Sequence, residues 1–194
     1  MSRPGRLVVI SGPSGVGKST LIERLTRHEK CRLAVSATTR ARRHGERDGV
    51  HYRFLGKDEF AAMVGRGEFL EAALVHGDRY GTPRSEVSPW LARGWTVILD
   101  VDTQGFRAVR KIMPVTGVFV MPPSLEALDS RLKGRATEDP ATVSRRLQSA
   151  RDEIAAAGEY DHRVVNDDVG RAVKTIEEII GLGPVATGPD RKRN

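Results

Sequence analysis

The 194-residue chain has one cysteine, Cys31, and aromatic residues at only 5% of its positions. A single cysteine excludes an internal disulfide framework and fits a reducing cytoplasm. Cys31 stands just before an apolar run and reads as a small core residue, not a nucleophile. The five histidines (His28, His44, His51, His76 and His162) fall at no metal-ligand spacing, which argues against a zinc centre. No apolar run approaches the ~18 residues of a membrane helix. The opening Met-Ser-Arg-Pro-Gly-Arg lacks the apolar stretch of a signal peptide. Internal repeats and low-complexity tracts are absent as well. Acidic residues are outnumbered 25 to 32, for a net charge of +7, and most of the basic residues are Arg. Without an aromatic-rich or helix-turn-helix signature, that charge implies no nucleic-acid partner. The planar guanidinium fork suits phosphate oxygens instead. The length fits one domain with a sizeable core.

What is present begins at Leu7. Leu7–Ile10 reads as a buried strand, and Thr20–Leu25 carries the Leu21, Ile22, Leu25 spacing of a helix. Between them, Gly12-Pro13-Ser14-Gly15-Val16-Gly17-Lys18-Ser19 satisfies G-x-x-x-x-G-K-[ST] at every required position, in strand–loop–helix context. Glycines let successive backbone N–H groups converge on one anion. The helix N-terminus adds partial positive charge there and Lys18 a full one, while the Ser19 hydroxyl is placed for Mg²⁺. This stretch binds a nucleoside polyphosphate.

Further along, Leu33–Ser36 reads as a short strand and 37–49 as a polar loop. His51–Leu55 alternates as a half-exposed strand, and Asp58 is placed to cap a helix through Val64. Phe69–Val75 and Arg79–Tyr80 read as strands about a His76-Gly77-Asp78 turn. Helix is expected over 84–93, strand over Thr96–Val101, helix over Gln104–Ile112 and strand over Gly117–Met121. A helix starts at Pro122-Pro123-Ser124, and Asp139-Pro140 is a cap followed by Pro at the first helical position. Val164-Val165 is a last strand and Val169–Ile180 a last helix; the Gly/Pro-rich end with Arg-Lys-Arg reads as a solvated tail. Strands alternating with helices imply an α/β fold, a P-loop NTPase architecture with a parallel sheet core and helices on both faces. Ligands are then expected at the carboxyl ends of the strands, where the loop and Asp100 both fall.

A phosphate loop alone leaves GTPase, ATPase and small-molecule kinase open. The Asn-Lys-x-Asp motif of GTPases is missing, since Val165 is followed by Asn166-Asp167-Asp168. A motor ATPase needs a longer chain, whereas 194 residues suit a nucleotide kinase. Several stretches then resemble the guanylate kinases. They are Val35 to Arg43 with Gly45-Glu46 and Asp48 to Tyr52; Gly67 to Glu71; His76 to Thr82; Leu99 to Gly105; and Pro122 through Arg131–Arg135 to Arg145-Arg146, with Asn166–Asp168. The resemblance covers about residues 6–182.

It implies a single domain over 1–182: a core (5–35, 83–130 and 152–182), a small mixed α/β GMP-binding part (36–82), a helical lid (131–151) and a basic tail (183–194). It implies that Gly12–Thr20 hold ATP, with Asn166 at the adenine. Ser36, Arg40, Arg43, Tyr52, Glu71, Tyr80, Thr82, Asp100 and Asp102 hold GMP. Two guanidiniums and two phenols suit a phosphate dianion. Glu71 would accept from the guanine N1–H and amino group, donors that adenine lacks there. Lys18, Arg131, Arg135, Arg145 and Arg146 would neutralise the transferring phosphoryl, with Mg²⁺ at Ser19 and Asp100, directly or through water. Ala136 and Thr82 depart from the family's usual Gly and Ser. The implied activity is cytoplasmic transfer of the γ-phosphoryl of ATP to GMP, and to dGMP, in guanine nucleotide metabolism. No membrane association is expected, and an oligomer is left open. Two other readings are a guanylate-kinase-like phosphopeptide-binding module, which usually lacks a working loop or lid, and a P-loop kinase of a phosphorylated sugar, which does not need Glu71 with Tyr52 and Tyr80.

Overall fold

A computed structural model describes residues 4–75, 77–133 and 140–183, with residues 132–133 and 140–147 as backbone alone. The chain order is β1 (Arg6–Ser11), α1 (Lys18–Leu25), β2 (Cys31–Leu33), β3 (Ala37–Thr38), β4 (Arg53–Phe54), α2 (Lys57–Gly65), β5 (Phe69–Val75) and β6 (Asp78–Pro83). There follow α3 (Ser88–Ala92), β7 (Thr96–Leu99), α4 (Thr103–Ile112), β8 (Thr116–Met121), α5 (Leu125–Lys133), α6 (Pro140–Ala155), β9 (His162–Val165) and α7 (Val169–Ile180). Among these helices none is long and apolar enough to cross a membrane.

The central sheet is parallel, in the order β2-β7-β1-β8-β9. Its inner strands β7, β1 and β8 are buried almost throughout because both faces are covered. Along β1 the side chains alternate: Val8 and Ile10 pack with Leu21 and Leu25 of α1 and Ile176 of α7. Leu7 and Val9 turn the other way, onto Phe106, Val109, Phe119 and Tyr160. The second sheet, β4-β3-β6-β5, mixes one parallel with two antiparallel pairings. It rests on a small core of Ala37, Phe60, Met63 and Phe69, the two phenyl rings stacked at 4.5 Å.

Several boundaries differ from the sequence reading. The strand expected over Leu33–Ser36 ends at Leu33, where the chain peels off the central sheet; Ala37–Thr38, read as loop, join the second sheet. The 51–55 strand shrinks to Arg53–Phe54, since Gly49 N–H donates to Tyr52 O in a turn. Asp58 is not a cap. Gly56 holds that position and Asp58 lies in the first turn, where its charge favours the helix N-terminus. Strand β7 stops at Leu99, leaving Asp100 in the connection to α4. The helix expected over 84–93 is a 3₁₀ turn, Arg84–Glu86, followed by α3. Asp139 and the tail from residue 184 lie outside the described residues.

Candidate active site

The phosphate loop leaves β1 at Gly12, whose φ is +145° and whose missing Cβ clears the Val120 carbonyl; a Cβ there would stand 2.4 Å from that oxygen. Gly15 and Gly17 also take positive φ. The loop opens into a cavity of about 1020 Å³ between the two sheets, facing one side of α6. Gly12–Gly15 and Gly17–Thr20 line it, while Val16 is turned into the core. Lys18 Nζ donates to Gly12 O at 2.6 Å, which folds the ammonium over the loop and leaves two of its N–H groups for a ligand.

Opposite the loop, Ser36, Arg43, Tyr52, Glu71 and Tyr80 form the wall supplied by the second sheet and its connections. Glu71 is 7% exposed, and its Oε1 accepts from the Thr82 hydroxyl at 2.7 Å. Ser36 and Thr82 hydroxyls lie 3.3 Å apart, completing a short polar chain. Burial pushes the Glu71 carboxyl above its ordinary range; the Thr82 hydrogen bond opposes that and the Asp102 charge adds to it. Thr82 is thus a support beneath Glu71, fully buried and outside the cavity wall.

Arg40 is also displaced from the wall. Its guanidinium is gripped by Glu46 at 2.7 and 3.1 Å, and its Nε donates to Tyr80 Oη at 3.2 Å. Glu46, bonded to Arg40 and to Arg43 N, is held below the usual carboxylate range. Burial, with Asp100 next in weight, pushes the Tyr52 phenol up to about 12, so it stays an O–H donor at neutral pH.

At the floor, Asp100 is exposed to the solvent of the cavity, with protein crowded around its base. Partial loss of water in that crowded setting raises its carboxyl, with the Lys18 ammonium acting against the shift. Asp102 faces the cavity while its Oδ1 caps α4 by accepting from Gly105 N at 2.9 Å. The fourth wall went unread in the sequence. Gln148, Ser149, Asp152 and Glu153 of α6 face the cavity. Their spacing, two pairs four residues apart, is the available signal for one polar helix face. Burial raises the Glu153 carboxyl, with Lys18 lowering it and Asp102 raising it further.

The expected lid residues divide. Arg131 is described, and its guanidinium donates behind the loop, to Val16 O at 3.4 Å and Asn166 O at 3.2 Å. Arg135 lies outside the described residues, and Arg145 and Arg146 are described only as turns of α6. Asn166, expected at an adenine, is buried against the rear of the loop with Nδ2 donating to Val16 O at 2.8 Å.

The arrangement presents a loop of backbone N–H groups with one ammonium at one end and a buried carboxylate at the other. That geometry suits two nucleotides brought phosphate to phosphate. Comparison with known proteins agrees. The sequence model of the guanylate kinase family matches residues 4–182. The guanylate kinase of Synechococcus elongatus is 48% identical over 178 residues, covering 91% of this chain and 97% of that one. The guanylate kinase of Rickettsia typhi is 45% identical, with 91% and 90% covered. Among solved structures, guanylate kinase from Anaplasma phagocytophilum superposes with a TM-score of 0.78 at 33% identity, covering 93% and 86%.

Proposed function

The chain belongs to the guanylate kinase family, and on that premise we propose how its cavity carries the family's reaction. The reaction is transfer of the γ-phosphoryl of ATP to GMP, giving ADP and GDP. The residues Gly12–Thr20 take the ATP phosphates, and Ser36, Arg43, Tyr52, Glu71, Tyr80, Asp100 and Asp102 take GMP, with Arg40 and Thr82 behind them supporting Tyr80 and Glu71. One observation carries this division. Glu71, buried and held from behind by the Thr82 hydroxyl, faces the same cavity that the phosphate loop lines. A carboxylate so placed selects a base with two adjacent donors, which guanine offers and adenine does not.

The acceptor needs no general base, because a phosphate with second pKa about 6 is mostly dianionic at neutral pH. Tyr52 and Tyr80 donate phenolic hydrogens to it and Arg43 a guanidinium. Arg40, aligned by Glu46, acts through Tyr80. Catalysis is then alignment and charge neutralisation. Lys18 supplies charge from the loop, and Arg135, Arg145 and Arg146 supply it from the lid segment 131–151. The described part of α6 adds Gln148 and Asp152, joined by a hydrogen bond of 3.2 Å, to the cavity wall.

Mg²⁺ accompanies ATP in this reading. Ser19 and Asp100 both line the floor and offer one hydroxyl and one carboxylate, the small set of hard oxygens that suits an ion keeping most of its waters. Bound there, it adds positive charge to the phosphate oxygens. The domain division into core, GMP-binding part 36–82, lid and tail is part of the same proposal, as is dGMP as a second acceptor. A lone buried cysteine and the need for ATP fit a cytoplasmic enzyme.

The test is ADP release from ATP with GMP, dGMP, AMP, a ribose phosphate or no acceptor. Release dependent on GMP and dGMP is expected. Equal release with AMP, or with the ribose phosphate, overturns the base-reading site.

A further inference from the structure

Behind the phosphate loop, hidden from the cavity, two side chains meet at one carbonyl. Val16 is fully buried, and its oxygen accepts from Asn166 Nδ2 at 2.8 Å and from Arg131 Nη1 at 3.4 Å. The second arm of Arg131, Nη2, donates to the Asn166 carbonyl at 3.2 Å, which ties the end of α5 to the β9–α7 connection. The Asn166 amide has only one workable orientation, since a flip would set its oxygen against the Val16 oxygen. Its Nδ2 also fills the space beside Gly17, where a Cβ would stand 2.5 Å from it.

The consequence follows from the planarity of the peptide. In a trans peptide the carbonyl and the next residue's N–H point in opposite directions, and the chain has no cis peptide bond among the described residues. Holding the Val16 carbonyl at the rear therefore aims the Gly17 N–H forward, and Gly17 is a cavity-lining residue. That N–H finds no backbone acceptor among the described residues. Without those two donors the peptide, with Gly17 on one side, is less restrained, and its flip would present a carbonyl oxygen to the anion instead.

We propose that Asn166 and Arg131 are positioning residues that lock the Val16–Gly17 peptide so that its N–H is delivered to the donor triphosphate. This rests on the reading of the loop as the ATP phosphate site. It departs from the sequence expectations for both residues, which placed Asn166 at the adenine and Arg131 on the transferring phosphoryl. Because the lock acts on phosphate and not on the base, its loss must be felt by any polyphosphate. Because it acts through the loop, its loss must raise the ATP requirement more than it slows the saturated enzyme.

The experiment uses the full chain with Asn166→Asp, Asn166→Ala and Arg131→Met, beside Lys18→Ala. It measures steady-state kinetics in ATP and GMP, and calorimetric binding of Mg²⁺-tripolyphosphate, which has no base. Expected for the first three is a rise in KM for ATP on the order of 10- to 10²-fold, matched by a similar loss of tripolyphosphate affinity. KM for GMP and kcat at saturating ATP should stay within a few-fold. Asn166→Asp, isosteric but lacking the donor, should be at least as damaged as Asn166→Ala. Unchanged tripolyphosphate binding alongside weakened ATP use overturns the lock and assigns Asn166 to the base. If Arg131→Met instead slows turnover at saturating ATP by a factor on the order of 10²–10³, its positioning role is overturned in favour of direct contact with the phosphoryl. If Asn166 variants fail to fold, Arg131→Met alone decides, since its side chain lies largely at the surface. Undiminished tripolyphosphate binding by Lys18→Ala overturns the donor-site reading itself, separately from the lock.

Discussion

Glu71 carries the sharpest conflict between stability and function at the level of one residue. Its carboxyl is raised by burial, so the folded protein favours the protonated form more than the unfolded chain does. Stability from this group is therefore full at low pH and lost as pH rises through its folded pKa. Glu71→Gln removes the buried charge and keeps an acceptor for the Thr82 hydroxyl. It should raise resistance to urea at pH 8, with the gain vanishing as pH falls. The same change should abolish the preference for GMP over AMP, measured as the ratio of kcat/KM values. Wild-type GMP use should fall on acidification at a pH above the ordinary carboxylate range, because only the ionised form accepts both guanine donors. Lys18→Ala poses the opposite case. Its ammonium contacts Gly12 O and otherwise faces the cavity, so the fold should survive while turnover drops by a factor on the order of 10²–10³. Near-normal turnover would remove Lys18 from the chemistry.

At the level of elements, α4 is more than a filler of the sheet face. Its N-terminus lies at the Glu71 end of the cavity, with Asp102 as the cap and Glu71 Oε2 close to Gly105, 3.3 Å from where a Cβ would stand. Two carboxylates gathered there are favoured by the partial positive charge of the helix start. Asp102→Ala should cost about 1 kcal/mol in urea unfolding through the lost cap. Asp102→Asn keeps the cap and should leave stability unchanged. Both should raise KM for GMP if the second oxygen contacts the base; a rise confined to Asp102→Ala would assign the effect to the helix. The β1–α1 connection behaves differently. Gly12→Ala meets both a positive φ and the Val120 carbonyl, so strain of about 1–3 kcal/mol should appear as lowered stability together with lost ATP binding.

For the molecule as a whole, two sheets with separate cores share one cavity, so each substrate should stabilise the fold by mass action. ATP or GMP at a hundred times its Kd adds about 2.7 kcal/mol, readable as a rise in melting temperature. GMP without such an effect would place its site elsewhere. The sequence by itself determined the phosphate loop, because its glycines and Lys18 are consecutive and their chemistry is local. It determined the alternation of buried strands and helices too: β5 and α7 match their expected bounds, since runs such as Val169–Ile180 carry their own period and cap. Where the expected bounds failed, the cause was pairing at a distance. Ala37–Thr38 are a strand only because β6 and β4 lie beside them, and Leu33–Ser36 stops short because the chain must cross between sheets. The site divides along the same line. Residue types and the family resemblance together named groups suited to a phosphate or a guanine. Only the tertiary structure decided that Glu46 grips Arg40, that Thr82 stands under Glu71, that α6 faces Lys18, and that Asn166, 150 residues from Val16, holds its carbonyl. Contacts of that range depend on how the elements pack, and no local pattern encodes them.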